Sequence, residues 1–163
     1  ICYLFFIPEA SWKLAVLFYG LGVIYSHLKN DLKAAENYKK ALSINNDSSE
    51  AHNNLANLYN RIDPNKAEQH YLKVLELSPD DPMPYINISN YYLKNTKYKK
   101  CVETLEKALK KDIKAKELLN NLGIAYLARK ENHKSKSMFE EALKIDPEYK
   151  PALDNLKILN NMT

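Results

Sequence analysis

A period of 34 residues constrains what this chain can fold into more than any other feature. Gly22, Ala56, Ser89 and Gly123 occupy equivalent places, separated by 34, 33 and 34 residues. Each follows an aliphatic residue (Leu21, Leu55, Ile88, Leu122) and precedes a tyrosine three places on (Tyr25, Tyr59, Tyr92, Tyr126). A second small residue comes next (Ala34, Ala67, Cys101, Ser135), then a large one (Tyr38, Tyr71, Leu105, Phe139), then Ala41, Val74, Ala108 and Ala142. Within one period the apolar residues fall at i, i+3, i+4 and i+7. Leu119, Leu122, Gly123, Tyr126 and Leu127 form one run; Ser135, Met138, Phe139, Ala142 and Leu143 form the next. This is the spacing of amphipathic helices. The break between them, 129–134, is short and charged, so each period predicts two helices folded back on each other.

Two helices approach closely only where side chains are small, which sets Gly22 or Ala56 against Ala34 or Ala67. One such pair cannot bury its apolar faces alone, so successive pairs must stack with nearest-neighbour contacts. The period and this residue order resemble the tetratricopeptide repeat, a helix–turn–helix unit of 34 residues. The resemblance implies an all-α, right-handed superhelical solenoid of antiparallel helix pairs. The expected division is an atypical segment at 1–14, repeats at 15–48, 49–81, 82–115 and 116–149, and a cap helix at 150–163. Phe18, His52, Tyr85 and Leu119 stand where the family usually has tryptophan. The second repeat is one residue short near Asp63 and Pro64. Asn30 or Asp31 is expected to cap the second helix of the first repeat, and Asp63-Pro64 and Asp81-Pro82 read as helix starts. Lys157 sits where earlier repeats need a small residue, so the last segment reads as a solvated cap.

At 163 residues and 45% apolar content the chain is long enough to fold as one domain. The run Ile1–Ile7 is apolar but too short to cross a bilayer. It reads as the tail of a preceding helix in a chain whose upstream part is missing, in preference to the stump of a membrane segment. Three glycines leave little material for a phosphate-cradling loop. Cys101 holds a small-residue core position and reads as a buried reduced thiol, which points to a reducing compartment and a cytoplasmic location.

No nucleophile elbow, glycine-rich phosphate loop or paired metal-ligand spacing occurs. No cofactor, metal or catalytic residue is therefore assigned, and the chain reads as non-catalytic. His27, His52, His70 and His133 are scattered, and His52 reads as a packed side chain. The Asn-x-Ser/Thr matches at Asn46, Asn87 and Asn161 are those expected by chance in so asparagine-rich a chain.

Asn54, Asn87, Asn121 and Asn155 form a column, one residue before the core Leu or Ile of four successive repeats; Gly20 stands there in the first. In tetratricopeptide arrays this position points into the concave face. A primary amide carries a donor and an acceptor, so a row of them suits the main chain of an extended peptide. The column resembles the asparagine ladder in the repeat domain of O-linked N-acetylglucosamine transferase, although a merely solvated amide row is the competing reading. Asn53, Asn57, Asn90 and Asn120 add polarity to the expected groove, and Ile86, Leu93 and Ile124 add apolar surface.

The resemblance thus implies a protein-interaction scaffold that takes an extended peptide in its groove. The alternative is the substrate-recruiting region of a larger enzyme, such as a glycosyltransferase. Family members that clamp the acidic tails of heat-shock chaperones need lysines and an arginine on these helices. The matching positions here hold residues such as Tyr19, Val23, Met83 and Glu117, and only the asparagines fit, so that partner is not expected. Residues 94–116 hold nine lysines against three acids. Lys97, Lys100, Lys107 and Lys111 form an outer stripe without stacking aromatics, so a solvated face outweighs a nucleic-acid or anionic-membrane site.

Overall fold

The computed structural model describes residues 9–161. Among them are nine helices and no strand: α1 (Glu9–His27), α2 (Asp31–Ile44), α3 (Ser49–Ile62), α4 (Pro64–Leu77), α5 (Pro82–Lys94), α6 (Tyr98–Lys110), α7 (Lys116–Ala128), α8 (Asn132–Ile145) and α9 (Lys150–Asn160). The apolar run Ile1–Ile7 lies outside the described residues. Helix α1 begins at Glu9, inside the stretch set apart by its sequence. The helices form two compact units where length alone suggested one domain. One contains α1–α4 and ends at Leu77; the other contains α5–α9 and starts at Ser78.

Within each unit the antiparallel pairs close on the small residues. In the first, α1 packs on α2 and α3 on α4; in the second, α5 packs on α6 and α7 on α8, with α9 laid against α8 and α7. Ala34, Ala56, Ala67, Ser89, Cys101 and Ser135 are all fully buried. Contact is closest at two glycines. A Cβ on Gly22 would sit 2.5 Å from the Tyr38 ring, and one on Gly123 would sit 2.5 Å from the Phe139 ring. On the second helices α6 and α8 the small residue is polar and faces the backbone of its partner helix. Ser135 Oγ donates to the Gly123 carbonyl at 2.9 Å, and Cys101 Sγ lies 4.0 Å from the Ser89 carbonyl. Burial pushes the Cys101 thiol up to about 12, so it stays a protonated packing group.

Caps set the helix starts. Asn30 Oδ1 accepts from Lys33 N at 3.2 Å, and Asp81 Oδ1 accepts from Met83 N at 2.9 Å ahead of Pro82. Helix α4 starts at Pro64, where no amide is needed. The turns that end α1, α5, α6 and α7 use Lys29, Thr96, Asp112 and Lys130, all left-handed at φ 55–62°. None is a glycine, so each carries a Cβ penalty. Lys130→Gly is expected to stabilise the fold by about 1 kcal/mol, read as a higher denaturant midpoint.

Candidate peptide-binding face

The first helix of each pair carries the asparagine column. In the first unit, Asn54 is half-buried and donates Nδ2 to the Tyr19 hydroxyl at 3.1 Å. Asn57 is exposed, and its Oδ1 accepts from the Tyr71 hydroxyl at 2.6 Å. Both line a cleft of about 270 Å³ with Val23, Tyr38 and Arg61. The Arg61 guanidinium donates to Asp31 at 2.8 Å. Asn53 is half-buried beside them.

The second unit contains more of the expected residues. Asn121, only 7% exposed, donates both Nδ2 protons, to Ser89 Oγ and to Asn90 Oδ1, each at 2.8 Å. Its orientation is forced: the single Ser89 hydroxyl proton goes to the Ile86 carbonyl at 2.8 Å, so Ser89 can only accept from Asn121. Asn155 Nδ2 donates to Asn120 Oδ1 at 2.9 Å. Asn87, Leu93 and Ile124 are half-buried, and Asn90 is exposed. Ile86 and Asn120 are buried, so they serve the packing beneath this face more than its surface.

These bonds follow a rule that the column alone did not reveal. Asn54→Tyr19 and Asn155→Asn120 both span 35 residues, one repeat plus one position. For Asn121 that position is Ile86, which has no side-chain acceptor, so the amide turns to Ser89 and Asn90. The donor side of these amides therefore braces one first helix to the one before it. The signal lay in the sequence, as a polar residue one place before the column position of the preceding repeat: Tyr19 before Gly20, and Asn120 before Asn121.

Sequence reading also missed the partner of His52. His52 is buried, its Nε2 meets the Asn46 carbonyl at 3.0 Å, and its Nδ1 lies 2.9 Å from Nδ1 of His70. A carbonyl only accepts, so His52 carries its proton on Nε2 and accepts at Nδ1 from His70. Tyr59 stacks on His70 with ring centroids 5.6 Å apart. Burial, followed by neighbouring His52 and Lys39, holds the His70 imidazole down at about 4, and burial also lowers His52. Among the described residues no group of three or more His, Cys, Asp or Glu could hold a metal ion.

The lysine stripe is partly engaged with its own surface. Lys97 Nζ donates to the Tyr91 hydroxyl at 2.7 Å, and Lys111 Nζ donates to the Pro79 carbonyl at 3.2 Å and lies 3.5 Å from Asp80. A cleft of about 610 Å³ lies in the first unit away from the asparagines, between Leu32, Lys39, Tyr59, Ile62 and Lys66. No helix among the described residues is long and apolar enough to cross a membrane.

A tetratricopeptide-repeat family model matches residues 15–48, 84–110 and 116–149, more than half of the chain. The interval between the first two matches, 49–83, holds the whole of the repeat that is one residue short. A comparison with curated proteins found no match. Among solved structures, the chain is similar to MamA (TM-score 0.78, 18% identity, covering 91% of this chain and 82% of that one). It is also similar to YrrB, described as a TPR protein with an unusual peptide-binding site (TM-score 0.74, 19% identity, 91% and 76% covered). The pilF protein of Pseudomonas aeruginosa follows the same fold (TM-score 0.67, 21% identity, 94% and 78% covered).

Proposed function

Because this chain belongs to the tetratricopeptide-repeat family, whose arrays are protein-interaction scaffolds, we propose that it is a non-catalytic adaptor. Its ligand is an extended peptide lying across the first helices of the second unit, α5, α7 and α9. The observation that carries this reading is the orientation of Asn121. With both Nδ2 protons tied to Ser89 and Asn90, its Oδ1 is a preorganised acceptor for a peptide N–H. Asn155 is held by one such bond, from its Nδ2 to Asn120 Oδ1. Asn90, whose Oδ1 is occupied, turns its donor side outward for a peptide carbonyl. Leu93 and Ile124, with the exposed Met83, supply apolar contact and what side-chain selectivity there is. In the first unit, Asn54 and Asn57 offer a smaller version of the same chemistry.

The donor bonds also dictate how to test this. Removing the whole column would loosen the repeat stack, at about 1 kcal/mol for each lost brace. The informative variants are therefore surface ones. Full-length protein is used as bait in a lysate of the source cell, with Met83→Ser/Leu93→Ser beside wild type and with helicity and melting matched by circular dichroism. A partner held by wild type and lost at least tenfold by the variant supports the face. An undiminished partner moves the interaction elsewhere on the molecule.

A further inference from the structure

Helix α1 carries an apolar stripe at repeat positions that are covered in later first helices and left open here. Leu14, Leu17, Leu21 and Ile24 on the helix, and Leu28 one residue past its end, recur at alternating spacings of three and four, the a/d seam of a two-stranded coiled coil. The seam lies away from the helix face that carries Ala15 and Gly22 onto α2, and away from Tyr19, which bonds to α3. Leu17 and Ile24 are 57% and 55% exposed. The residues at the same repeat positions in later first helices are covered: Ala51 and Leu58 in α3, Leu118 and Ala125 in α7, and Ala152 and Leu159 in α9 are each at most 2% exposed. In α3, α7 and α9 the second helix of the preceding pair provides that cover. The α1 seam is thus one half of a helix–helix interface.

We propose that a second copy of this chain supplies the other half, with the two α1 helices packed antiparallel about a two-fold axis. The register is self-complementary. Setting Leu21 of one copy against Ile24 of the other also sets Leu17 against Leu28, so the four a–d layers close on themselves as an isologous interface requires. The flanks do not oppose it. Gly20 has open space around it, and Phe18 and Tyr25 line the other side under the ammonium groups of Lys40 and Lys33. In this register Leu14 of one copy comes beside the exposed Leu32 of the other. Helix α9 exposes Leu153 and Ile158 among Lys150, Asp154 and Lys157, a more charged face than the α1 seam, and the Ile158 variant below tests head-to-tail stacking on it. The seam and Leu32 expose on the order of 500 Å² per copy, so the pair buries roughly 1,000 Å², the lower bound for a specific contact, which predicts a dimer of micromolar affinity.

Sedimentation velocity on the full chain from roughly 1 to 200 µM tests this. Wild type is expected to pass from monomer to dimer, Leu17→Glu/Ile24→Glu to remain monomeric, and Ile158→Glu on α9 to dimerise like wild type. All three changed side chains are exposed, so the variants should melt alike. In a Cys2→Ser background, mixed Leu21→Cys and Ile24→Cys copies are expected to cross-link to each other, and Ile24→Cys copies not to themselves. A monomer throughout the range overturns the proposal, and if its seam also resists surface labelling, the seam belongs to residues 1–8 of the same chain. A dimer indifferent to Leu17→Glu/Ile24→Glu, or one that links Ile24→Cys to itself, overturns it equally.

Discussion

Phe139→Ala is expected to destabilise the second unit by about 3–5 kcal/mol, lowering its melting temperature by on the order of 20 °C. Phe139 is fully buried and stands with Leu119, Ala142 and Ala152 at the centre of that unit's core, with Ile124, Met138, Leu143 and Leu156 against it. Removing the ring leaves a cavity that two helix pairs and α9 would have to collapse together to fill. The ring also sets the value of its neighbour. Gly123→Ala would gain helix propensity of up to ~1 kcal/mol, yet its Cβ would meet the Phe139 ring at 2.5 Å. Overpacking of that kind costs about 1–3 kcal/mol, so the single variant should lose stability. In the Phe139→Ala background the same change should become neutral or stabilising, because nothing remains to strike. Denaturant melts of the four proteins measure that coupling directly; additive losses would mean that the two side chains do not press on one another.

Acidification is expected to loosen the first unit between pH 6.5 and 4. Folding holds both imidazoles of the His52–His70 pair below their ordinary value of 6.5, with His70 at about 4. The unfolded chain therefore binds protons in this window that the folded chain refuses. The pair's contribution is intact above 6.5 and is lost as pH falls through the folded value. Lys39 on α2 and Lys73 on α4 face the pair and oppose its protonation, while Asp47 favours it at His52. His70 is partly exposed, so screening reduces the effect to about 1–2 kcal/mol between pH 7 and 5. His70→Asn keeps a donor toward His52 Nδ1 and removes one titrating group. Its denaturant midpoint should vary less over this range than that of wild type. Equal slopes for the two proteins would dismiss the pair as the cause.

What was legible in the sequence was whatever depends on size at a fixed spacing. The small–large alternation of Gly123 and Phe139 identified helix pairing, because steric exclusion at a close crossing acts on each residue by itself. The Asp81-Pro82 start was legible for the same reason: both residues act within one turn. The hydrogen-bond geometry was harder to read. The asparagine column was visible, but its donors turned out to be occupied, since that depends on which residue stands 35 positions earlier. The His52–His70 pair was missed because histidine has no fixed place in the repeat, and only the packing of α3 on α4 brings the rings together. The division after Leu77 was likewise invisible, as the period runs through it almost unbroken.

The bonds from Asn121 to Ser89 and Asn90, and from Asn155 to Asn120, have a mechanical consequence. They tie α5, α7 and α9 along one edge of the second unit with directional links that tolerate little change in length. The second helices are tied differently: α6 and α8 each bond to α7, through the Tyr126 hydroxyl on Glu106 and through Ser135 on the Gly123 carbonyl, and the rest of their contact with it is apolar packing. Apolar contacts can slide by fractions of a side chain at small cost. The unit is therefore stiff along its amide edge and compliant along the opposite one, and any flexing it undergoes pivots on the first helices while the second helices spread or close.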